Sequence, residues 1–270
     1  MTAAYAWGLT VSAGSGGDQI LEARRLAERW GAPFIPRENS SLRELKAARG
    51  LDFLVTMDRD GRVFSEEPFF HWHPSMAVPR FRRLAEGGED TFLAAAALQE
   101  GDRFLDCTLG MGADALIAAW AVGDRGVVVA LEASPVVALI SGWGLEHEAP
   151  KFERRKAPMT AASRRIDVRC EEALSYLQAC APESWDVIYF DPMFRAPNEK
   201  SSGLNSLRPL AYYGVFDAVL LAEALRVCRK RVLLKERWFS PLYRELGADR
   251  TFKTKYSPVA FGIWEKKANG

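Results

Sequence analysis

From about residue 102 onward, short apolar runs alternate with segments whose apolar residues recur at helical spacing. Such runs predict buried strands, and the segments between them predict helices. The predicted strands lie in RFLDCTLG (103–110), GVVVALEAS (126–134), RIDVRC (165–170), WDVIYFD (185–191) and RVLLKER (231–237). This alternation predicts an α/β fold: a Rossmann-like, doubly wound parallel sheet with helices on both faces.

The helices predicted between these strands lie in ADALIAAWAVG (113–123), PVVALISGWGLEHE (135–148), EEALSYLQACA (171–181) and FDAVLLAEALRVCR (216–229). The last segment, TFKTKYSPVAFGIWEKK (251–267), predicts one or two closing antiparallel strands. Parallel sheets of this kind bind ligands at the carboxyl ends of their strands. Polar residues at those ends are therefore the first candidates for a functional site.

The N-terminal part has a mixed pattern that predicts a small α+β domain over residues 1–80, ahead of a main domain over 81–270. Its predicted elements are a strand (6–13), a helix ending at Gly31 (18–31), a hairpin that turns at Asp60-Gly61 (51–65), a connector rich in Pro and Gly (69–90) and a helix leading into the main sheet (90–101).

Composition narrows the class of protein. The formal charge of +1 over 270 residues indicates neither a nucleic-acid nor a membrane partner by itself. The four cysteines form no CxxC pair, which is typical of reduced thiols in a cytoplasmic protein. We find no apolar run of membrane-spanning length and no secretory pattern, so we expect no membrane association. His71 and His73 alone are too few ligands for a metal site, and we expect none.

A glycine loop follows the first strand of the main domain. In LDCTLGMGAD (105–114), two glycines allow a ligand to approach the backbone, and an acid stands on either side of them. Glu132 ends the next strand, where a carboxylate can accept both hydroxyls of a ribose. The sequence therefore predicts a nucleoside-containing cofactor at this edge of the sheet.

Two cofactor classes fit this loop. The string GMGADA (110–115) matches the dinucleotide fingerprint GxGxxA and would belong to an NAD-binding oxidoreductase. A dinucleotide, however, places its pyrophosphate at the helix N-terminus, where Asp106 and Asp114 would repel it. S-adenosylmethionine has no phosphate and carries a sulfonium and an ammonium, so the acids favour this cofactor. The oxidoreductase stays an alternative that a thermal-shift comparison of the two ligands would separate.

Two further acids, Glu171 and Glu172, open the helix after the third strand. Beside S-adenosylmethionine, this corner would face the adenine, and a carboxylate there can accept its amino hydrogens. Acidic residues are also expected at a helix N-terminus because of the helix dipole. The sequence leaves both interpretations of these two residues open.

The fourth strand ends in the string YFDPMF (189–194). Its Asp191 carboxylate can accept an N–H from an exocyclic amine of a base, orient the nitrogen lone pair and stabilise the positive charge that develops there. The Pro192 carbonyl can take a second N–H, and the Phe194 ring can stack on a splayed base. Taken alone, the motif fits equally a plain strand-ending turn with Phe194 in the core. Together with the glycine loop, it predicts methylation of a nucleobase amine.

Three stretches together resemble a known family: LDCTLGMGAD (105–114), LEASPVVALI (131–140) and YFDPMF (189–194), the last followed by Lys200-Ser201. They are similar to class I S-adenosylmethionine-dependent methyltransferases and, more narrowly, to the RsmJ-type small-subunit rRNA guanine-N2 methyltransferases. The helix ahead of the first strand and the small N-terminal domain fit as well. The resemblance covers most of the chain and is best over about 88–210.

The resemblance implies a class I methyltransferase fold, S-adenosylmethionine as cofactor, and rRNA or a ribosomal subunit as partner. The implied cofactor-binding residues are Asp106, Thr108, Gly110, Gly112, Asp114, Glu132, Ala133, Glu171 and Glu172. The implied target-base residues are Asp191, Pro192 and Phe194. Thr108 stands where many class I enzymes have the first glycine of the loop. The same fold acting on adenine N6 or a small molecule, and a non-catalytic binding module, stay open, as does the oligomeric state.

Local charge is the remaining indication of an RNA partner. The segment 151–165 carries six basic residues and one acidic residue, a local charge of +5 that can contact phosphates or simply be a solvated loop. Lys235, Lys253 and Lys255 are expected to extend such a basic patch at the far edge of the sheet. We also expect the N-terminal domain to dock RNA, so that its deletion weakens RNA affinity but spares cofactor binding.

Overall fold

A computed structural model of the chain describes residues 5–74, 76–152, 159–192, 215–255 and 257–266. Its N-terminal unit is a four-stranded sheet in the order β1 (Trp7–Val11), β2 (Phe53–Met57), β3 (Val63–Glu66) and β4 (Phe69–His71). The first two strands are parallel and are joined through helices α1 (Gly17–Arg29) and α2 (Leu42–Ala48). The last three form antiparallel hairpins, the first turning at Gly61 as predicted.

The main sheet has seven strands: β5 (Arg103–Asp106), β6 (Val127–Leu131), β7 (Ile166–Arg169), β8 (Trp185–Phe190), β9 (Cys228–Arg237), β10 (Arg250–Phe252) and β11 (Val259–Glu265). They lie in the order β10-β11-β9-β8-β5-β6-β7. Strands β5 to β9 are parallel, and β10 and β11 are antiparallel. The predicted Rossmann-like sheet with antiparallel closing strands is confirmed.

The remaining helices are α3 (Ala77–Ala85), α4 (Thr91–Ala96), α5 (Ala113–Val122), α6 (Pro135–Trp143), α7 (Met159–Ser163), α8 (Ala173–Ala179), α9 (Ala218–Val227) and α10 (Leu242–Glu245). A π-helical turn (Gly144–Glu148) and a 3-10 turn (Ala149–Phe152) follow α6. Within the part of the chain that the structure describes, no helix has both the length and the apolar character needed to cross a membrane.

Strand order determines where a ligand can bind. From β5 the chain proceeds outward through β6 and β7, then returns to the other side of β5 for β8 and β9. The connections therefore diverge between β5 and β8, which leaves a crevice at the carboxyl ends of these two strands. The glycine loop follows β5 and Asp191 follows β8, so both predicted motifs flank this crevice.

The N-terminal unit and the main domain share one hydrophobic core, which includes Leu9 of β1, Trp72 after β4 and Ile140 of α6. Gly144 permits this contact: a Cβ there would lie 2.1 Å from Cγ of Trp72. The predicted domain boundary after residue 80 falls within α3, and a division of the chain at that point stays a prediction.

The segment 69–90, expected to be a connector, instead contains β4 and α3. Pro79 does not prevent a helix here, because it lies in the first turn of α3, where the missing N–H costs no hydrogen bond. The predicted helix 90–101 ends at Ala96, since Ala97 adopts a left-handed conformation at φ 47°. Helix α2 was not predicted, although Ser41 and Glu44 form a capping box at its start.

Candidate active site

The glycine loop connects β5 to α5 at the crevice. Gly110 has φ +51° and Gly112 has φ +73°, a region of backbone conformation that disfavours side chains. A Cβ at Gly112 would lie 3.1 Å from Leu109 and 3.2 Å from Leu145. At Gly110 the nearest atom to such a Cβ is the Thr108 carbonyl oxygen at 4.0 Å, so this part of the backbone is open to a ligand.

Two side chains from outside the loop hold its backbone. The Ser141 hydroxyl donates to the Gly110 carbonyl at 2.6 Å from helix α6. The Trp72 indole N–H donates to the Met111 carbonyl at 2.9 Å, and Trp72 belongs to the segment after β4. The loop is therefore fixed in part by the N-terminal region, a contribution for which the sequence pattern offered no signal.

Glu132 lies where predicted, at the end of β6, and its carboxylate connects two backbone segments. It accepts the Gly110 N–H at 3.1 Å and the Ser134 N–H at 2.9 Å. Burial raises the pKa of Glu132, while backbone N–H groups, including that of Ala133, oppose the shift. A carboxylate has about four acceptor sites, so Glu132 retains capacity for the hydroxyls of a ribose.

Asp106 ends β5 and is almost completely buried. Its Oδ1 accepts the Thr108 N–H at 2.9 Å and faces the Thr108 hydroxyl at 3.4 Å. Burial raises the pKa of Asp106 to about 8, and the nearby Asp114 and Asp191 carboxylates contribute to the shift. A cationic ligand beside Asp106 would favour its ionised form.

Thr108 joins the two motifs of the crevice. Its Oγ1 accepts the backbone N–H of Asp191 at 2.6 Å. This bond fixes the end of β8 against the glycine loop. The sequence placed Thr108 among the cofactor contacts, and the structure gives it this second, positional role.

Asp114 begins helix α5 and is surrounded by donors. Its Oδ2 accepts the Tyr189 hydroxyl at 2.7 Å and the Lys235 ammonium at 3.1 Å. Its Oδ1 accepts from Arg80, which also forms a two-point ion pair with Asp90 at 2.7 and 2.9 Å. These cations hold the pKa of Asp114 well below its usual range. Asp114 thus has protein partners, and its contact with a cofactor stays a prediction.

Asp191 follows β8, next to Lys235 on the neighbouring strand β9. Its Oδ2 accepts the Lys235 ammonium at 2.7 Å. Burial raises the pKa of Asp191, and the Lys235 cation opposes this shift. Lys235 therefore lies in the crevice between two carboxylates, and the expectation that it extends a surface basic patch is wrong.

The structure also describes the predicted adenine corner and part of the predicted target-base motif. Glu172 is the N-cap of α8, since its carboxylate accepts the backbone N–H groups of Leu174 and Ser175 at 3.2 and 3.1 Å. Glu171 is exposed beside it and stays a candidate for adenine recognition. Pro192 is half-buried after Asp191, whereas Phe194 lies outside the described residues.

All four cysteines are free thiols. In the described ranges, no three His, Cys, Asp or Glu side chains are grouped so that they could hold a metal ion.

The residues of the crevice fit S-adenosylmethionine. The exposed backbone at Gly110 leaves room for a ligand against the loop. Asp106 and Glu132 are acids whose raised pKa values reflect burial, and their described hydrogen bonds come from amides and a hydroxyl. A ligand that brings positive charge and ribose hydroxyls supplies the partners that such carboxylates favour.

A family comparison decides the class of protein. The family model described as "Putative SAM-dependent methyltransferase" matches residues 72–259, which include every residue of the crevice named above. The chain belongs to this family. It is a class I S-adenosylmethionine-dependent methyltransferase, and S-adenosylmethionine is its cofactor.

Relatives of this methyltransferase align along most of its length. Protein YpiP of Bacillus subtilis, described as uncharacterised, is 35% identical over 245 residues, covering 90% of this chain and 93% of the relative. Ribosomal RNA small subunit methyltransferase J of Pseudomonas aeruginosa is 28% identical over 260 residues, covering 92% of this chain and 91% of the relative. The same-named protein of Cellvibrio japonicus is 32% identical over 163 residues, covering 57% and 59%.

The fold of the methyltransferase also has a solved counterpart. The crystal structure of a SAM-dependent methyltransferase from Neisseria gonorrhoeae superposes with a TM-score of 0.64 and covers 97% of both chains. Sequence identity is 17%, so this likeness concerns the fold. Because it extends over nearly the whole chain, it includes the N-terminal sheet as well as the main sheet.

Proposed function

We propose that this methyltransferase modifies an exocyclic amine of a nucleobase in RNA, with guanine N2 of small-subunit rRNA as its target. The observation that carries the proposal is the position of Asp191, whose backbone N–H donates to the Thr108 hydroxyl oxygen in the glycine loop. An acceptor for an amine thus lies beside the loop that flanks the cofactor crevice. Relatives named ribosomal RNA small subunit methyltransferase J support RNA as the substrate class.

An exocyclic amine is a poor nucleophile, because its lone pair is delocalised into the ring of the base. In our proposal Asp191 accepts one N–H of the amine, which orients the lone pair and stabilises the positive charge that forms on nitrogen. The Pro192 carbonyl accepts the second N–H. Phe194 stacks on the base, a role assigned from the sequence motif because this residue lies outside the described ranges.

Lys235 positions the acceptor. It binds Oδ2 of Asp191 at 2.7 Å, so that Oδ1 is the oxygen we assign to the amine. Its cation also favours the ionised form of Asp191, which burial alone would disfavour. When bound, S-adenosylmethionine would supply an electrophilic methyl group on a positively charged sulfur, so no strong general base is required before attack. As the N–C bond forms, the S–C bond would break and the cofactor would leave as a neutral thioether. The proton lost by the methylated nitrogen would pass to the Asp191 carboxylate.

The cofactor side of the site follows from the same geometry. We assign the ribose hydroxyls to Glu132, the ammonium side to Asp106, and the close backbone approach to Gly110. Asp114 stabilises this arrangement through Arg80 and Lys235 and has no assigned contact with the reacting atoms.

The basic segment 151–165 is a second proposed RNA contact. Of its basic residues, Lys151, Arg164 and Arg165 are in described parts of the chain, and Lys151 and Arg164 are exposed. Arg165 is already paired with Asp124 and with the Ala119 carbonyl, so we leave it out of the contact. Arg154, Arg155 and Lys156 lie outside the described residues.

Product identity tests the proposed function. The purified enzyme is incubated with labelled S-adenosylmethionine and small-subunit rRNA that was transcribed without modification, free or assembled into subunits. The RNA is digested to nucleosides, which are separated by mass spectrometry. We expect N2-methylguanosine to carry the label. Label in N6-methyladenosine would overturn the assignment of the target. So would unlabelled RNA, if a parallel incubation of the enzyme with a cell extract labels only a small molecule.

A further inference from the structure

Two adjacent aromatic residues remain outside the site described so far. Trp238 is 54% exposed and Phe239 is 60% exposed, directly after strand β9. Their rings pack edge to face, with centroids 5.6 Å apart and an interplanar angle of 87°. Large aromatic side chains bury well in a core, so two exposed neighbours at one position indicate a surface that contacts a partner.

The backbone under these rings is held by the sheet. Trp238 donates its N–H to the Pro258 carbonyl at 3.2 Å, which ties it to the segment that leads into β11. Ser240 donates to the Arg237 carbonyl at 2.9 Å and closes a turn before α10. The aromatic pair is therefore presented on a fixed turn, which reduces the entropy lost when a partner stacks on it.

Cations accompany both rings. The Lys253 ammonium lies 5.0 Å from the Trp238 ring centroid, and the Arg237 guanidinium lies 5.9 Å from that of Phe239. Lys255 is also exposed nearby in the chain. Aromatic faces interleaved with basic groups are the combination that binds single-stranded nucleic acid, because bases stack on the rings and phosphates pair with the cations.

The aromatic pair follows the carboxyl end of β9, at the edge of the sheet where Asp191 follows β8. The parallel register that pairs Phe190 with Leu234 brings Asp191 level with Lys235. Trp238 is three residues further along the same strand direction, about 10 Å at the rise of a strand. The segment containing Lys253 meets the same edge of the sheet, because β11 runs antiparallel to β9.

From these observations we infer that Trp238, Phe239 and Lys253 form a stacking surface for the single-stranded RNA that flanks the target base. The inference rests on the proposed function and adds the binding surface for the neighbouring nucleotides. RNA is favoured over a protein partner because cations border both rings, and because the surface lies at the same edge of the sheet as Asp191.

The test compares variants that keep or remove aromatic stacking. Trp238→Leu combined with Phe239→Leu keeps apolar bulk and loses both π faces, whereas Trp238→Phe combined with Phe239→Tyr keeps them. Affinity is measured by fluorescence anisotropy with a labelled single-stranded RNA of about twelve nucleotides, in the range of one binding site. We expect the leucine pair to bind at least about tenfold more weakly, and the aromatic pair to bind like the wild type.

The charge contribution has its own matched comparison. Lys253→Gln should reduce the salt dependence of RNA binding by about one phosphate contact. Arg229→Gln, an exposed residue at the opposite end of β9, should leave it unchanged. Equal salt dependence in both variants would remove Lys253 from the RNA contact.

Calorimetric binding of S-adenosylmethionine is measured on all variants and should be unchanged, which shows that they are folded. If the wild type binds and methylates RNA but the leucine pair does so equally well, the stacking surface is wrong and the proposed function stands. If the leucine and aromatic pairs are equally weakened, the rings serve packing and the inference is also wrong. If the wild type neither binds nor methylates RNA, both proposals fail together.

Discussion

Lys235 lies between two carboxylates, 2.7 Å from Oδ2 of Asp191 and 3.1 Å from Oδ2 of Asp114. Asp114 is also paired with Arg80, and Arg80 with Asp90. The buried charges thus form one continuous network that ends at the acceptor we assign to the target amine. In a poorly solvated site, such pairing fixes side-chain orientation and the protonation state together.

Replacing Lys235 separates its effect on the orientation of Asp191 from its effect on the protonation state of Asp191. We expect Lys235→Met to lower the rate of methyl transfer about 10- to 100-fold while S-adenosylmethionine still binds. Without the cation, the pKa of Asp191 rises further, so the pH at which activity reaches half its maximum should move upward. Lys235→Arg keeps the charge and should recover part of the rate without that shift. Rate–pH profiles of the three proteins provide the measurement. An unshifted profile in Lys235→Met would contradict the proposal that Lys235 favours the ionised form of Asp191.

Asp106 predicts a pH dependence of stability in the cofactor-free protein. Its pKa of about 8 in the folded state lies above the usual 3.8. Between these values the folded state holds a proton that the unfolded state has released, so stability falls as pH rises from about 4 to about 8. Asp106→Asn resembles the protonated acid, and its loss of stability over this range should be smaller. Urea unfolding of both proteins at several pH values tests this, and parallel curves would refute it.

At the scale of elements, the five parallel strands were predictable because their apolar runs are short, uniform and bounded by polar residues. The proximity of the glycine loop and Asp191 followed from these strands, since parallel strands place their carboxyl ends at one edge of the sheet. The positions of Lys235 and Arg80 were not predictable, because the first depends on strand register and the second on the packing of α3. Helix α2 had a usable local signal in Ser41 and Glu44.

The two glycines of the loop should respond differently to alanine. Both have positive φ, so each substitution strains the backbone by about 1–2 kcal/mol. Gly112→Ala adds close contacts with Leu109 and Leu145 and should be the less stable protein. Gly110→Ala meets open space and should remain folded but bind S-adenosylmethionine more weakly. Thermal unfolding combined with calorimetry distinguishes them, and the reverse order of the two effects would contradict the loop geometry.

At the scale of the whole molecule, the N-terminal region contacts the glycine loop and the segment that follows β6. Trp72 donates to the Met111 carbonyl of the glycine loop, and Tyr5 lies 2.6 Å from the Ser134 hydroxyl beside Glu132. Arg80 belongs to the same region of the sequence and pairs with Asp114. The expectation that deletion of residues 1–80 spares cofactor binding is therefore no longer supported, because the deletion removes all three contacts.

A point substitution tests this coupling more directly than the deletion. Trp72→Phe keeps most of the buried aromatic volume and removes the N–H that binds Met111. We expect a cost of about 1–2 kcal/mol in stability and a measurable loss of S-adenosylmethionine affinity. Trp30→Phe is the matched control, since Trp30 packs at Gly142 of the main domain. Equal cofactor affinity in the two variants would show that the N-terminal region does not support the loop.

The central claim is that the Asp191 carboxylate engages the target amine. Asp191→Asn keeps the size of the side chain and removes its charge. Its single-turnover rate with unmodified small-subunit rRNA should be at least about a hundredfold below that of the wild type, with S-adenosylmethionine affinity close to normal by calorimetry. A variant that binds the cofactor normally and methylates RNA at the wild-type rate would contradict the account.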